Sequence, residues 1–214
     1  MNQDLKPSEK LFCLSVDPKS GGIFFNSSST LYMTLVGLMF VELVNKEIIT
    51  IENEAVHLVN PTHQYDEIHE YILNPIRLWK KDLRIRIWIS WFYFRGSKIK
   101  KLFIQSLVRK SVLRVEEKWF LFIPYHKVCL MDRELVESIR KEVEMTILGR
   151  TAASDESIIL AQMVAQNNLF ERIFPDKAKQ KEADFNLNKF PETQVSRAVK
   201  LAIHMRNARF AALR

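Results

Sequence analysis

The residues best suited to chemistry in this chain are basic. The segment from Arg95 to Lys101 reads Arg-Gly-Ser-Lys-Ile-Lys-Lys and stands at the start of a predicted helix. The N–H groups and the dipole of a helix start attract phosphate, and they add to the attraction of the four cations. The sequence therefore predicts a site for a phosphate-bearing ligand, with a merely solvated basic face as the alternative.

The net charge of the chain is concentrated around that segment. The 214 residues contain 32 Lys and Arg against 25 Asp and Glu, a net charge of +7. Residues 76–118 alone hold 13 basic and 3 acidic residues, a net charge of +10, so the remainder carries −3. An excess of this kind favours anionic partners, and we consider a membrane surface and a nucleic acid.

Two groups of residues give weaker indications of enzyme chemistry. His63, Glu67 and Glu70 would share a helix face that can hold a divalent metal, although a polar exposed face explains the same residues. Cys129 lies near His126, but no carboxylate stands at a spacing that would orient a thiol and its base. Gly-rich phosphate loops and the common hydrolase and zinc motifs are missing from the sequence. We therefore expect no enzyme, no cofactor and no metal site.

The elements that must position the basic segment are mostly helices. With 47% hydrophobic and 27% charged residues, the chain can bury one core, and we expect a single domain over residues 1–214. Apolar spacing predicts one central helix, apolar nearly all round, and amphipathic helices around it. The predicted helices cover residues 5–16, 31–45, 63–73, 75–94 and 99–110, with three more opening at Asp132, Ser154 and Pro191.

Two β-hairpins interrupt the helices. The first pairs residues 48–51 with 55–59, and the second pairs residues 112–115 with 119–123 around a turn at Glu116-Glu117-Lys118. The polar stretch from Asp176 to Asn188 is predicted to be a loop. Helix followed by hairpin occurs twice, which is also the pattern of a winged helix, and this makes a nucleic-acid-binding protein the alternative function.

The sequence also bears on the compartment. Two cysteines do not indicate a disulfide framework, and they fit a reducing compartment. The first residues do not form a secretory signal, and the apolar stretch from Leu31 to Val44 is shorter than the roughly 20 residues of a membrane-crossing helix. We expect a cytoplasmic protein whose membrane contact is peripheral, at the cytoplasmic face.

Several blocks of the sequence follow one another in the order of a known family. The most specific is Glu-Lys-Leu-Phe-x-Leu-x-x-Asp, which begins at Glu9, followed by Gly-x-x-x-x-Glu-Leu, which begins at Gly37. The blocks cover residues 6–22, 35–44, 48–51, 107–113 and 120–122. In this order, the chain resembles the Golgi phosphoprotein 3 family over about residues 5–174.

The resemblance implies a mainly helical fold, with a central helix bundle surrounded by amphipathic helices and with a protruding β-hairpin. The eukaryotic members are peripheral membrane proteins that bind phosphatidylinositol 4-phosphate and retain glycosyltransferases in the Golgi. This chain begins at the domain itself, without the Arg-rich tail of those members, and so it resembles a bacterial-type member.

The resemblance also implies a headgroup site. The family's pocket uses a Trp before the central helix, an Arg within that helix, and two Arg at the start of the helix before the hairpin. Phe25 resembles the Trp and Lys100 the last Arg, whereas Val36 and Ser97 replace the other two. Lys is a point charge without the planar fork of Arg, so the resemblance implies a less selective anion site. The residues assigned to this site are Phe25, Arg95, Ser97, Lys98, Lys100 and Lys101.

The second hairpin contributes a further contact surface. The run Trp-Phe-Leu-Phe-Ile-Pro-Tyr from Trp119 to Tyr125 would contact a bilayer or a second subunit, as the family's hairpin is thought to do. An ordinary buried strand is the alternative. The residues assigned to this contact are Phe120, Phe122, Ile123 and Tyr125. Together these features predict a protein that binds anionic membrane lipids, forms a homo-oligomer through the hairpin and does not bind nucleic acid.

Overall fold

The computed structural model describes residues 4–24, 30–60, 65–79 and 82–211. Within them the chain is mainly helical, at 61% helix, with two small antiparallel hairpins, which confirms the predicted fold class. In chain order the helices are α1 (Pro7–Ser15), α2 (Leu31–Asn45), α3 (Glu67–Trp79), α4 (Ile85–Tyr93), α5 (Gly96–Arg109), α6 (Arg133–Ile147), α7 (Asp155–Gln166), α8 (Phe170–Ile173), α9 (Lys177–Leu187) and α10 (Gln194–Ala211). The strands are β1 (Ile49–Glu52), β2 (Ala55–Leu58), β3 (Leu113–Phe120) and β4 (Ile123–Leu130).

Helix α2 is the centre of the fold. Its sequence is almost wholly apolar, and it is buried along nearly its whole length, as the sequence predicts for a helix without a polar face. It packs against α1, α3, α4, α5, α7 and α10. At Gly37 a Cβ atom would lie 2.5 Å from Cγ2 of Val199, so only glycine lets α10 approach this closely.

The helix boundaries follow local capping chemistry. Pro7 opens α1, and the carboxylate of Asp132 and the hydroxyl of Ser154 accept hydrogen bonds from the first turns of α6 and α7. Gly149 has the positive φ of 64° that suits the residue after a helix. The loop predicted from Asp176 is wrong, because Asp176 caps α9 in the same way as Asp132 caps α6.

The long helix predicted over residues 75–94 is also wrong. The chain leaves α3 after Trp79 and begins α4 only at Ile85. Between them, Leu83 accepts a hydrogen bond from the N–H of Val56 at 3.1 Å, and the N–H of Ile85 donates to the carbonyl of Glu54 at 2.8 Å. The first hairpin therefore supplies the hydrogen bonds that a continuous helix would have made internally.

The second hairpin is longer than predicted. Its strands pair in register from Leu113 with Leu130 to Phe120 with Ile123, so the turn is Leu121-Phe122 and the predicted turn at residues 116–118 is wrong. Both turn residues have positive φ, 45° and 67°, as in the two-residue turns that match strand twist. The acidic pair before Lys118 lies within β3, where Glu116 is opposite Lys127 and also pairs with Lys118, and this polarity gave the misleading turn signal.

None of the helices in the described ranges combines the length and the hydropathy needed to cross a membrane.

Candidate anion-binding surface

The predicted basic segment forms the first two turns of α5. Burial of Ile99, Leu102 and Phe103 against the core turns Lys98 and Lys101 outward, where both are exposed. Because they are three residues apart, these two lysines share one face of the helix. Ser97 is exposed and Lys100 is half-buried, about 100° further round the axis from Lys101. We call Arg95, Ser97, Lys98, Lys100 and Lys101 the basic surface.

The three lysines of the basic surface have no acidic partner. Among the residues that the structure describes, no carboxylate lies within 4.0 Å of Lys98, Lys100 or Lys101. At the other end of α5 the opposite holds, since Arg109 contacts Glu67 at 3.1 Å and Lys110 contacts Glu9 at 2.6 Å. Lys110 thus pairs with a buried carboxylate and Arg109 with an exposed one, whereas the lysines at the start of α5 are available to an anion.

Other cations of the positively charged segment are also used internally. The pairs formed by them are Arg77 with Glu70, Arg84 with Glu54, Arg114 with Glu116 and Lys118 with Glu116. Lys80 and Lys81 lie outside the described residues. Among the described cations of residues 76–118, those without a carboxylate partner are therefore Arg86 on α4, whose Nη1 donates to Sδ of Met205, and Arg95, Lys98, Lys100 and Lys101 around the start of α5.

Arg95 is the most firmly held member of the basic surface. Its guanidinium carbon lies 3.3 Å from the centroid of the Trp91 ring, and Nη1 donates to the Trp91 carbonyl at 3.1 Å. A guanidinium has five N–H donors, so this single hydrogen bond leaves donors for a further acceptor. Arg95 is thereby oriented at the junction between α4 and α5.

The other positions that the resemblance implies differ in their surroundings. Phe25 lies outside the described residues, and Val36 is fully buried in the core beside the other apolar residues of α2. A Cβ atom on Gly96 would lie 2.4 Å from Cδ2 of Tyr32, so the start of α5 packs against the first turn of α2. The buried Val36 serves packing rather than ligand binding.

The tip of the β3–β4 hairpin is apolar and exposed. The Phe122 side chain is 94% exposed and that of Trp119 is 67% exposed, and Leu121 and Tyr125 also face solvent. Phe120 and Ile123 form the last pair of the ladder, and their side chains lie outside the described part of the structure. The alternative of an ordinary buried strand is thus wrong for Trp119, Phe122 and Tyr125.

The described residues of the two weaker chemical hypotheses make other contacts or face apart. Glu67 binds Arg109 and Glu70 binds Arg77, while His63 lies outside the described residues. Groups of three or more potential metal ligands do not occur within ranges 4–24, 30–60, 65–79 and 82–211. Cys129 and His126 are three residues apart on β4, so they face opposite sides of the strand.

Sequence reasoning missed a charged network centred on the buried side chains of Glu42 and His69. Glu42 of α2 accepts from the N–H of Ser8 at 2.8 Å and lies 2.9 Å from Nε2 of His69, whose Nδ1 is 2.7 Å from Asp66. Burial alone would lower the pKa of His69, but the hydrogen bonds to the two carboxylates raise it overall. A lone Glu in an otherwise apolar helix was the available signal. This network joins α1, α2 and α3 and supports the fold.

Comparison with known proteins places these features in a family. A family model described as Golgi phosphoprotein 3 matches residues 8–205 of the 214-residue chain. No curated protein sequence matches the chain. The family match spans the central helix, the basic surface and the exposed hairpin. The chain therefore belongs to the Golgi phosphoprotein 3 family.

Proposed function

We propose that this protein is a peripheral membrane protein that binds anionic lipid headgroups through the basic surface. The observation that carries the proposal is that Lys98, Lys100 and Lys101, at the start of α5, have no acidic partner in the described part of the chain. A basic residue close to an anionic membrane contributes about 1 kcal/mol to binding. Family membership supports a lipid ligand rather than another anion, because the resemblance implies that the ligand is phosphatidylinositol 4-phosphate.

The side chains of the basic surface are suited to recognising the negative charge of a membrane rather than the identity of one headgroup. Lysine ammonium groups attract phosphate without fixing its orientation, whereas arginine grips it through two parallel hydrogen bonds. Val36 is buried and Ser97 is neutral, and Arg95 already uses one donor on Trp91. Binding should therefore rise with the anionic charge of the membrane and depend little on which anionic lipid supplies it.

The hairpin tip supports contact with a bilayer or with a second copy of the chain. Trp119 and Tyr125 have the amphipathic rings that settle at a membrane interface, and Phe122 is almost fully exposed between them at the turn. We assign the protein to the cytoplasmic face of a membrane, without an enzymatic activity. Sedimentation of a Phe122→Ser variant distinguishes the two contacts. Loss of a subunit contact lowers the molecular mass of the sedimenting particle, whereas loss of a bilayer contact leaves that mass unchanged.

Liposome flotation tests the proposal. The wild type should float with vesicles of phosphatidylcholine and phosphatidylserine and remain unbound with pure phosphatidylcholine. The triple variant Lys98→Glu, Lys100→Glu and Lys101→Glu should lose this binding. A matched control changes three other exposed lysines, Lys141, Lys177 and Lys181, to Glu and alters the net charge equally.

The outcomes separate charge placement from overall charge. Equal recovery with neutral and anionic vesicles, or equal loss in both triple variants, contradicts a headgroup site at the start of α5. Vesicles that carry phosphatidylinositol 4-phosphate at matched total charge measure selectivity for that lipid. Salt-dependent binding to duplex DNA without vesicle binding would instead support the nucleic-acid alternative.

A further inference from the structure

Helix α4 has an apolar face that no other described element covers fully. The buried side of this nine-residue helix consists of Ile85, Trp88, Ile89 and Phe92. On the opposite side, the side chain of Phe94 is 77% exposed and that of Ile87 is 44% exposed. A helix with apolar residues on both sides is normally buried on both sides, so the exposed side of this one favours an apolar partner outside the protein.

The exposed apolar face continues beyond α4. The ring of Trp91 lies half-buried between Ile87 and Phe94 in sequence, and its centroid is 5.3 Å from that of Trp79. Trp79 and the exposed Leu78 end helix α3. We call Leu78, Trp79, Ile87, Trp91 and Phe94 the α4 surface. Contiguous apolar residues of this kind mark an interaction site, whereas single exposed ones are ordinary.

Cations border the α4 surface. Phe94 ends α4 and is followed directly by Arg95, whose guanidinium lies 3.3 Å above the Trp91 ring. Lys98 follows Phe94 by four residues and lies in the first turn of α5, and the exposed Arg84 precedes α4 at its other end. An apolar and aromatic face bordered by cations is complementary to a bilayer whose acyl chains lie beneath anionic phosphates.

We propose that α4 lies in the interface of an anionic bilayer, with Ile87, Trp91 and Phe94 among the upper acyl chains and Arg95 and Lys98 at the phosphates. This inference rests on the proposed function and adds the part of the protein that enters the lipid. Nine residues make a helix about 13 Å long, which suits an orientation along the interface rather than across the membrane. Tryptophan side chains settle at this depth because the ring is apolar and its N–H is polar.

Vesicle binding of a double variant, Ile87→Ser with Phe94→Ser, tests the inference. With phosphatidylcholine–phosphatidylserine vesicles, its partition coefficient should fall about tenfold or more below the wild-type value, while the salt dependence of binding is kept. The matched control is Phe185→Ser on α9, which removes a phenyl ring that is 65% exposed and leaves the α4 surface intact. This control should bind like the wild type.

Fluorescence quenching by brominated acyl chains reports insertion directly. Trp119→Phe removes the tryptophan of the hairpin, so the remaining quenching comes from Trp79, Trp88 and Trp91. Quenching should persist in this variant and disappear when Ile87→Ser and Phe94→Ser are added. Phe94→Ser alone provides a second variant, because this mostly exposed side chain contributes little to folding.

Each outcome has a distinct meaning. Vesicle binding and quenching that are unchanged in the serine variants overturn the inference and leave the headgroup site in place. A wild type that binds no anionic vesicle contradicts the proposed function and this inference with it. If the serine changes convert an oligomer into a monomer while vesicle binding is unchanged, the α4 surface is a subunit interface and the inference is wrong.

Discussion

The guanidinium of Arg95 stacks on the indole ring of Trp91, with its central carbon 3.3 Å from the ring centroid. This contact joins the basic surface at the start of α5 to the apolar face of α4. It also gives the cation nearest the α4 surface a fixed orientation. The geometry leads to a first prediction about stability.

Replacing Arg95 with Met should destabilise the protein by about 1 kcal/mol, because the stack on Trp91 is lost while the apolar stem is kept. Urea unfolding measures the change in free energy. Arg84→Met is the control at the other end of α4, since its exposed pair with Glu54 has atoms 4.0 Å apart. An equal effect of the two substitutions would contradict a special role for the stack.

Lys101 on α5 and Lys110, the residue that caps the end of α5, should respond differently to the same substitution. Lys110→Met leaves the buried carboxylate of Glu9 without its cation, so the free energy of unfolding should fall by about 3 kcal/mol. Lys101→Met removes an exposed lysine without an acidic partner among the described residues and should leave stability nearly unchanged. Chemical denaturation of both variants measures the two changes in the free energy of unfolding. Similar losses in both variants would contradict the different roles of Lys110 and Lys101.

The buried His69 should make stability depend on pH. Its pKa is raised in the folded protein above the ordinary 6.5, so its stabilising contribution is complete below pH 6.5. As the pH rises through the folded-state pKa, this contribution is lost. Asp66 acts in the opposite direction, because its lowered pKa stabilises the fold above its ordinary 3.8 and this contribution is lost as the pH falls.

Urea unfolding between pH 6 and 9 tests the role of His69. The wild-type free energy of unfolding should decrease over this range, and the decrease should be smaller in His69→Gln, whose side chain does not titrate. At pH 6 the variant should be less stable than the wild type by about 3 kcal/mol, because the buried carboxylate of Glu42 loses its cation, whereas Asp66 keeps its pair with Lys6. Parallel pH profiles in the two proteins would rule out His69 as the source.

Gly96 should not tolerate a methyl group, although alanine is the better helix former by about 1 kcal/mol. The added Cβ would lie 2.4 Å from Cδ2 of Tyr32, so the ring must move or α5 must shift away from α2. Such overpacking costs about 1–3 kcal/mol. Thermal unfolding should show a lower Tm for Gly96→Ala and little change for Ser97→Ala, which is exposed one residue later.

A smaller side chain at position 32 provides the corresponding rescue experiment. Tyr32→Leu combined with Gly96→Ala should recover part of the lost stability, because the methyl group then occupies the space of the ring. Losses that simply add would show that the two residues do not press on each other.

Much of the fold is predictable because its determinants are local. Helix α2 is apolar on every side over residues 31–45, and Asp132 and Ser154 mark the starts of their helices through side-chain caps. Helix α9 was missed because it buries chiefly Ala183 and so shows no apolar stripe. Its lysines, alanines and the cap at Asp176 favour helix formation without such a stripe.

Errors arose where distant segments compete for the backbone. The helix expected over residues 75–94 is broken because Leu83 and Ile85 hydrogen-bond to the first hairpin. The turn expected at residues 116–118 is strand because β4 pairs with it throughout, and the true turn uses Leu121 and Phe122, whose residue types carry no turn signal. Spacing within one segment does not show which other segment will satisfy its N–H and carbonyl groups.

In the candidate site, too, some features depend on local sequence and others on contacts between distant segments. The sequence by itself determined how many cations residues 76–118 contain, that the first turns of α5 are basic, and that a central apolar helix supports them. Only the tertiary structure decided which cations are available, because Glu9 and Glu67, 101 and 42 residues away from their partners, neutralise Lys110 and Arg109. Ion pairs form between side chains that folding brings within a few ångströms, so the availability of a charge depends on packing rather than on sequence spacing.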